Sequence, residues 1–77
     1  MIDPQHLRSL IREPTALRFR ELETILYQFG YALVNSKGSH FRFKKKNFPS
    51  LTIPVHNKMV KKWYIKDICK ILLTQLP

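Results

Sequence analysis

Apolar residues recur at helical spacing at both ends of this chain and at strand spacing through its middle. Near the start, Leu7, Leu10 and Ile11 share one face of a helix. Asp3 offers an N-cap side chain, Pro4 the fixed φ of a first helical position, and Pro14 a stop, so a short helix is predicted over residues 3–12. A helix this short needs tertiary contacts to persist. Phe19, Leu22, Ile25, Leu26 and Phe29 form a second stripe and predict a helix over 19–29. Glu21 and Glu23 fall where the helix dipole favours anions, and Gly30 suits the left-handed residue that ends a helix. The strongest period comes last. Ile65, Ile68, Cys69, Leu72, Leu73 and Leu76 follow the i, i+3, i+4, i+7 rule, with Lys66, Asp67 and Lys70 off the stripe, predicting a helix over 64–75.

The middle of the chain changes period. Tyr31 to Ser36 reads as a strand whose alternation is too weak to assign faces, and Lys37-Gly38-Ser39 as a turn. His40 to Lys45 alternates clearly, with Phe41 and Phe43 on one side and His40, Arg42 and Lys44 on the other. Lys46-Asn47-Phe48-Pro49 reads as the next turn, and Ser50 to His56 as a third strand with Leu51, Ile53 and Val55 inward and Thr52, Pro54 and His56 outward. Pro54 has no N–H for a ladder, so it marks an edge strand or a strand end.

The order helix, helix, three antiparallel strands, helix is an α+β arrangement. The apolar helix stripes require one face of the sheet, and the Phe41/Phe43 and Leu51/Ile53/Val55 side is the one that matches them. The other face stays open and carries His40, Arg42 and Lys44, with Thr52 and His56 as candidates beside them. The arrangement resembles a double-stranded-RNA-binding domain (a dsRBD-like fold). One domain over 1–77 is expected, with a helical extension over 1–14 and a core over 19–75.

Composition sharpens this picture. A chain of 77 residues buries roughly 60–65% of the surface its unfolded form exposes, enough for a thin core without a staple. The lone Cys69 excludes an internal disulfide and fits a reducing cytoplasm; on an apolar helical stripe it is expected to be a core residue rather than a reactive thiol. No stretch approaches the length of a membrane span, and Met1 to Pro14 lack the apolar run of a signal peptide. Fourteen Lys and Arg against five Asp and Glu give a formal net charge of +9, which calls for a polyanionic partner. Nucleic acid fits best, and an acidic protein surface competes.

His40 is the first candidate for chemistry. A single histidine on a sheet is most often merely solvated or hydrogen-bonded. This one follows Gly38-Ser39, which permits close backbone approach, and shares a strand face with Arg42 and Lys44. Imidazole in water titrates near about 6.5, which suits proton abstraction at neutral pH. RNA cleavage needs a proton taken from a 2′-hydroxyl and negative charge stabilised on phosphorus, and histidine with Lys or Arg supplies both without a metal. His56 is the rival, either as a second proton-transfer group or as a substrate-contacting or structural residue. His6 has no supporting context. The spacings of His6, His40, His56 and Cys69 match no zinc pattern, so no metal and no cofactor are expected. Lys44-Lys45-Lys46 and Lys58, Lys61 and Lys62 form two basic clusters suited to phosphate contact, although a charge run is often only a solvated face. Trp63 and Tyr64 are expected to pack onto the core edge rather than to stack on bases. A catalytically silent RNA-binding or protein-interaction module on the same fold remains open.

Arg20-Glu21-Leu22 opening a helix, Gly30-Tyr31 closing it, Lys37-Gly38-Ser39-His40, then Leu51-Thr52-Ile53-Pro54-Val55-His56-Asn57-Lys58 and a final helix over 65–73 together resemble the HicA family of toxin mRNA interferases. The resemblance covers about residues 19–75. It implies a dsRBD-like fold, a metal-independent endoribonuclease acting on mRNA, and growth inhibition relieved by a HicB-type antitoxin that covers the active site. The family's catalytic histidine falls on His40. RNA contact is expected at Lys37, Gly38, Ser39, Arg42, Lys44, Lys45, Lys46, His56, Lys58, Lys61 and Lys62.

Overall fold

The computed structural model describes residues 2–76. Helix α1 (Pro4–Arg12) begins as its sequence dictates: the Gln5 N–H donates to the Asp3 carboxylate at 2.9 Å, and Pro4 occupies the first turn. Leu7 and Leu10 are buried, and α1 packs against α3 (Lys62–Leu73), whose Ile65, Ile68, Cys69 and Leu72 are buried in turn. Burial pushes the Cys69 thiol up to about 11, so it stays protonated and inert at neutral pH.

Helix α2 (Phe19–Gln28) follows a two-residue strand, β1 (Leu17–Arg18). It ends on Gly30, whose φ of +88° is the left-handed conformation that glycine adopts freely. The Gly30 N–H donates to the Tyr27 carbonyl and the Tyr31 N–H to the Leu26 carbonyl, both at 3.0 Å, which is the paired bonding of a Schellman motif.

Strands β2 (Ala32–Lys37), β3 (His40–Lys45) and β4 (Phe48–Pro54) form an antiparallel sheet with β3 in the centre. Lys37 pairs with His40, so Gly38-Ser39 is a two-residue turn with Gly38 at φ +60°. Phe43 and Ile53 are fully buried on the helical side, Leu51 nearly so, and Phe19 of α2 packs on Phe41 with ring centroids 4.5 Å apart. Arg42, Lys44 and Thr52 are exposed on the other side. One covered face and one open face are therefore present, as the alternation predicts.

Several boundaries differ from the sequence expectation, each for a local reason. The turn after β3 is only Lys46-Asn47, because Asn47 takes a φ of 70°, and Phe48 and Pro49 join β4. β4 stops at Pro54, both an edge strand and its end, so His56 lies outside it. α3 starts at Lys62, two residues early, because Lys62, Trp63 and Tyr64 project into solvent and lie off the buried stripe that begins at Ile65. Trp63 is 61% exposed and Tyr64 44%, which overturns their expected packing on the core edge. Strand β5 (Met59–Val60) pairs with β1 in a second, two-stranded sheet that no pattern announced.

Candidate active site

His40 opens the central strand. Its cross-strand neighbours are Lys37 on β2 and Pro54 on β4, and two positions along β3 comes Arg42, between Asn35 and Thr52. Residues opposite one another in a ladder share a face, so the open face groups His40 with Lys37 and Arg42, all exposed, and continues to Lys44. The Val55 N–H donates to the Ser39 carbonyl at 2.7 Å, which ties the turn before His40 to the strand beside it. The imidazole thus stands on a doubly paired strand behind a pinned turn, with Pro54 and the cations Lys37 and Arg42 as its same-face neighbours. Nothing within 4 Å would meet a Cβ on Gly38, so the approach over the turn is clear.

The basic run Lys44-Lys45-Lys46 does not act as a unit. Lys45 points to the helical side, where its ammonium donates to the Gln75 carbonyl oxygen at 2.6 Å and lies over Phe48 and Tyr31 at 4.5 and 5.6 Å from the ring centroids. The Gln75 amide then donates to the Tyr31 hydroxyl at 2.8 Å. Lys45 thereby continues the side of β3 that carries Phe41 and Phe43, next to an irregularity in the β3–β4 register between Phe43 and Lys45. Lys44 stays on the open face and Lys46 is exposed in the turn.

His56 forms an isolated bridge with Met59: its N–H donates to the Met59 carbonyl at 2.9 Å, and the Met59 N–H returns the bond at 2.8 Å. Asn57 and Lys58 between them have φ of 51° and 65°, the double left-handed geometry of a type I′ turn. His56 is exposed on this turn rather than aligned with the His40 face by the ladder. Lys61 precedes α3 and Lys62 begins it; the Lys62 and Lys66 ammoniums lie 5.2 and 5.7 Å from the Trp63 ring centroid. Among the described residues, no three His, Cys, Asp or Glu side chains converge as a metal site.

Sequence reasoning missed Arg18 and Arg20. The β1–β5 pairing sets Arg18 opposite Met59, and the Phe19 N–H donates to the Lys58 carbonyl at 2.8 Å. Arg18, Arg20 and Lys58 consequently line one hollow of about 220 Å³. It adjoins a cavity of about 490 Å³ whose walls include Phe19, Phe41 and Val55, and which also meets Gly38 and Ser39. One signal was available: two arginines at the start of α2 oppose its dipole, and cations placed against a local field invite a search for an anion.

A small α+β domain with an open basic sheet face and a histidine at the head of its central strand has the charge and shape to meet a polyanionic partner. The comparison with known families is more specific. The family model described as HicA toxin of bacterial toxin-antitoxin matches residues 19–73, well over half of the chain. The chain belongs to the HicA toxin family, and is the toxin of a toxin–antitoxin system with a cognate antitoxin as partner. The chain finds no match among curated proteins or solved structures. Among the described residues, no helix is long and apolar enough to cross a membrane.

Proposed function

We propose that this toxin is a metal-independent endoribonuclease that cleaves mRNA in the cytoplasm with His40 as its general base, and that a HicB-type antitoxin silences it by covering that histidine. The observation that carries the reading is the setting of His40, exposed at the head of the central strand with Lys37 and Arg42 on the same face. The imidazole takes the proton of a ribose 2′-hydroxyl. The 2′-oxygen bonds to the adjacent phosphorus, negative charge grows on the phosphoryl oxygens, and Lys37 and Arg42 offset it. The P–O5′ bond then breaks, and the departing oxygen takes a proton from water. The products are a 2′,3′-cyclic phosphate and a 5′-hydroxyl.

His40→Ala removes an exposed side chain, so the protein should keep its fold and thermal midpoint. Cleavage should fall about 10²–10⁴-fold, with loss of growth inhibition on induced expression. Cleavage by the wild type should continue in EDTA. A folded alanine variant that still degrades mRNA in cells would remove His40 from the mechanism. Activity lost to chelator and restored by magnesium or zinc would remove its metal-independent form.

A further inference from the structure

We propose that the cavity between α2, the Gly38-Ser39 turn and the Asn57-Lys58 turn binds one nucleotide of the RNA next to the scissile bond, its phosphate against Arg18, Arg20 and Lys58 and its base against Phe41 and Val55. The inference rests on the ribonuclease reading and adds to it a subsite on the far side of the sheet end from His40.

The lining matches a nucleotide in both chemistry and size. The larger cavity, about 490 Å³, lies in the range that accommodates a small organic ligand. Its apolar wall is built from Phe41, half-buried and packed at a 36° tilt against Phe19, and from Val55. Bases stack on or lie against such surfaces whatever their identity. Its cationic rim, Arg20 and Lys58, is shared with the smaller hollow that Arg18 completes. One carboxylate, Glu23, also lines the larger cavity, where it accepts from the Tyr27 hydroxyl at 2.9 Å, and Glu21 accepts from the Arg18 N–H at 3.4 Å. Arg18, Arg20 and Lys58 against that one lining carboxylate leave the two hollows with a positive balance for an anion from outside.

The cavity is also continuous with the catalytic turn. Gly38 and Ser39 line it, and His40 is the next residue. A strand whose scissile ribose lies at His40 can cross the unobstructed Gly38 and seat its neighbouring nucleotide in the cavity. Lys58 is held in place for this purpose by backbone alone. Its φ of 65° is disfavoured for a residue with a side chain, and its carbonyl is bonded to Phe19. The occupant is RNA rather than an acidic antitoxin peptide because the aromatic wall and basic rim sit together in one recess, the pairing a base with its own phosphate requires.

The test uses amide NMR of the intact protein with three probes: each nucleoside 5′-monophosphate, inorganic phosphate, and an acidic peptide. Arg20→Gln is neutral in helix propensity and Lys58→Asn suits the left-handed backbone, so both variants should fold, which their spectra report directly. The nucleotides should shift Gly38, Ser39, Phe41 and Lys58 amides, phosphate alone only the Arg18–Arg20 and Lys58 end, and the double variant should weaken nucleotide binding at least tenfold. On a short RNA the single variants should raise KM about three- to tenfold with kcat nearly unchanged. Shifts confined to the open face, binding of the acidic peptide in place of nucleotide, or unchanged KM would overturn the subsite while leaving His40 catalysis intact. Nucleotide binding here by a wild type that cleaves no RNA would uphold the subsite and overturn the ribonuclease reading instead.

Discussion

At the scale of single residues, His40 and Lys45 stand at the two ends of one strand with opposite tasks. His40 stands free in solvent, whereas Lys45 is engaged internally, joining β3 to Gln75 beyond α3 and shielding Tyr31. The consecutive lysines should therefore separate by assay. Replacing Lys44 and Lys46 by Ser should weaken RNA binding and lower the log–log salt slope by about 0.7 for each phosphate no longer neutralised, with little change in stability. Lys45→Ala should leave the slope alone and cost about 1 kcal/mol, the scale of one charged hydrogen bond at a half-exposed site, read from the urea midpoint. Equal changes in slope from Lys45 and Lys44 would show that Lys45 leaves Gln75 to meet RNA.

At the scale of elements, α1 is an integral wall of the core although it lies outside the segment the family model matches. Leu7 is fully buried against α3, so Leu7→Ala should destabilise the fold by about 2–5 kcal/mol. Chemical denaturation would measure this, and a destabilisation below about 1 kcal/mol would show α1 to be a loose appendage. The elements with a period were legible in the sequence: all three helices, the β3 alternation and the turn before His40. Those without one were not. β1 and β5 are dipeptides with no pattern of their own, and their pairing depends on the left-handed turn at Asn57-Lys58. The place of His40 at the head of an alternating strand was legible from its local context, whereas the meeting of Arg18 and Arg20 with Lys58 was not, because a long-range pairing creates it. The inward turn of Lys45 continues the Phe41 and Phe43 side of the β3 alternation, and only its partner Gln75 lies beyond what the strand pattern could tell.

At the scale of the whole molecule, a net charge of +9 on so small a body attracts polyanions from a distance and makes their binding depend on ionic strength. The two ends of the proposed track lie on opposite sides of the sheet end, with Lys37, Arg42, Lys44 and Lys46 toward the open side and Arg20 and Lys58 at the cavity. A strand with one phosphate at each of the four open-side cations and one at the cavity would give a log–log salt slope of about −3.5, whereas a single phosphate contact gives about −0.7. Titration of an uncleavable oligonucleotide into wild-type protein at several salt concentrations distinguishes the two, and a slope near the smaller value would mean that RNA does not wrap the sheet end.

The position of β3 between two partners has a further consequence. Local opening of a small protein begins where backbone amides have few protectors, and β2, exposed along its whole length at the sheet edge, is such a place. β3 is bonded on both sides and carries the fully buried Phe43. The histidine is thus mounted on the one strand of this sheet that is paired on both sides, and fraying of β2 leaves its pairing with β4 in place. On the proposed role of His40, opening of the sheet margin does not switch the toxin off, so restraint has to come from a bound partner or from unfolding of the entire chain.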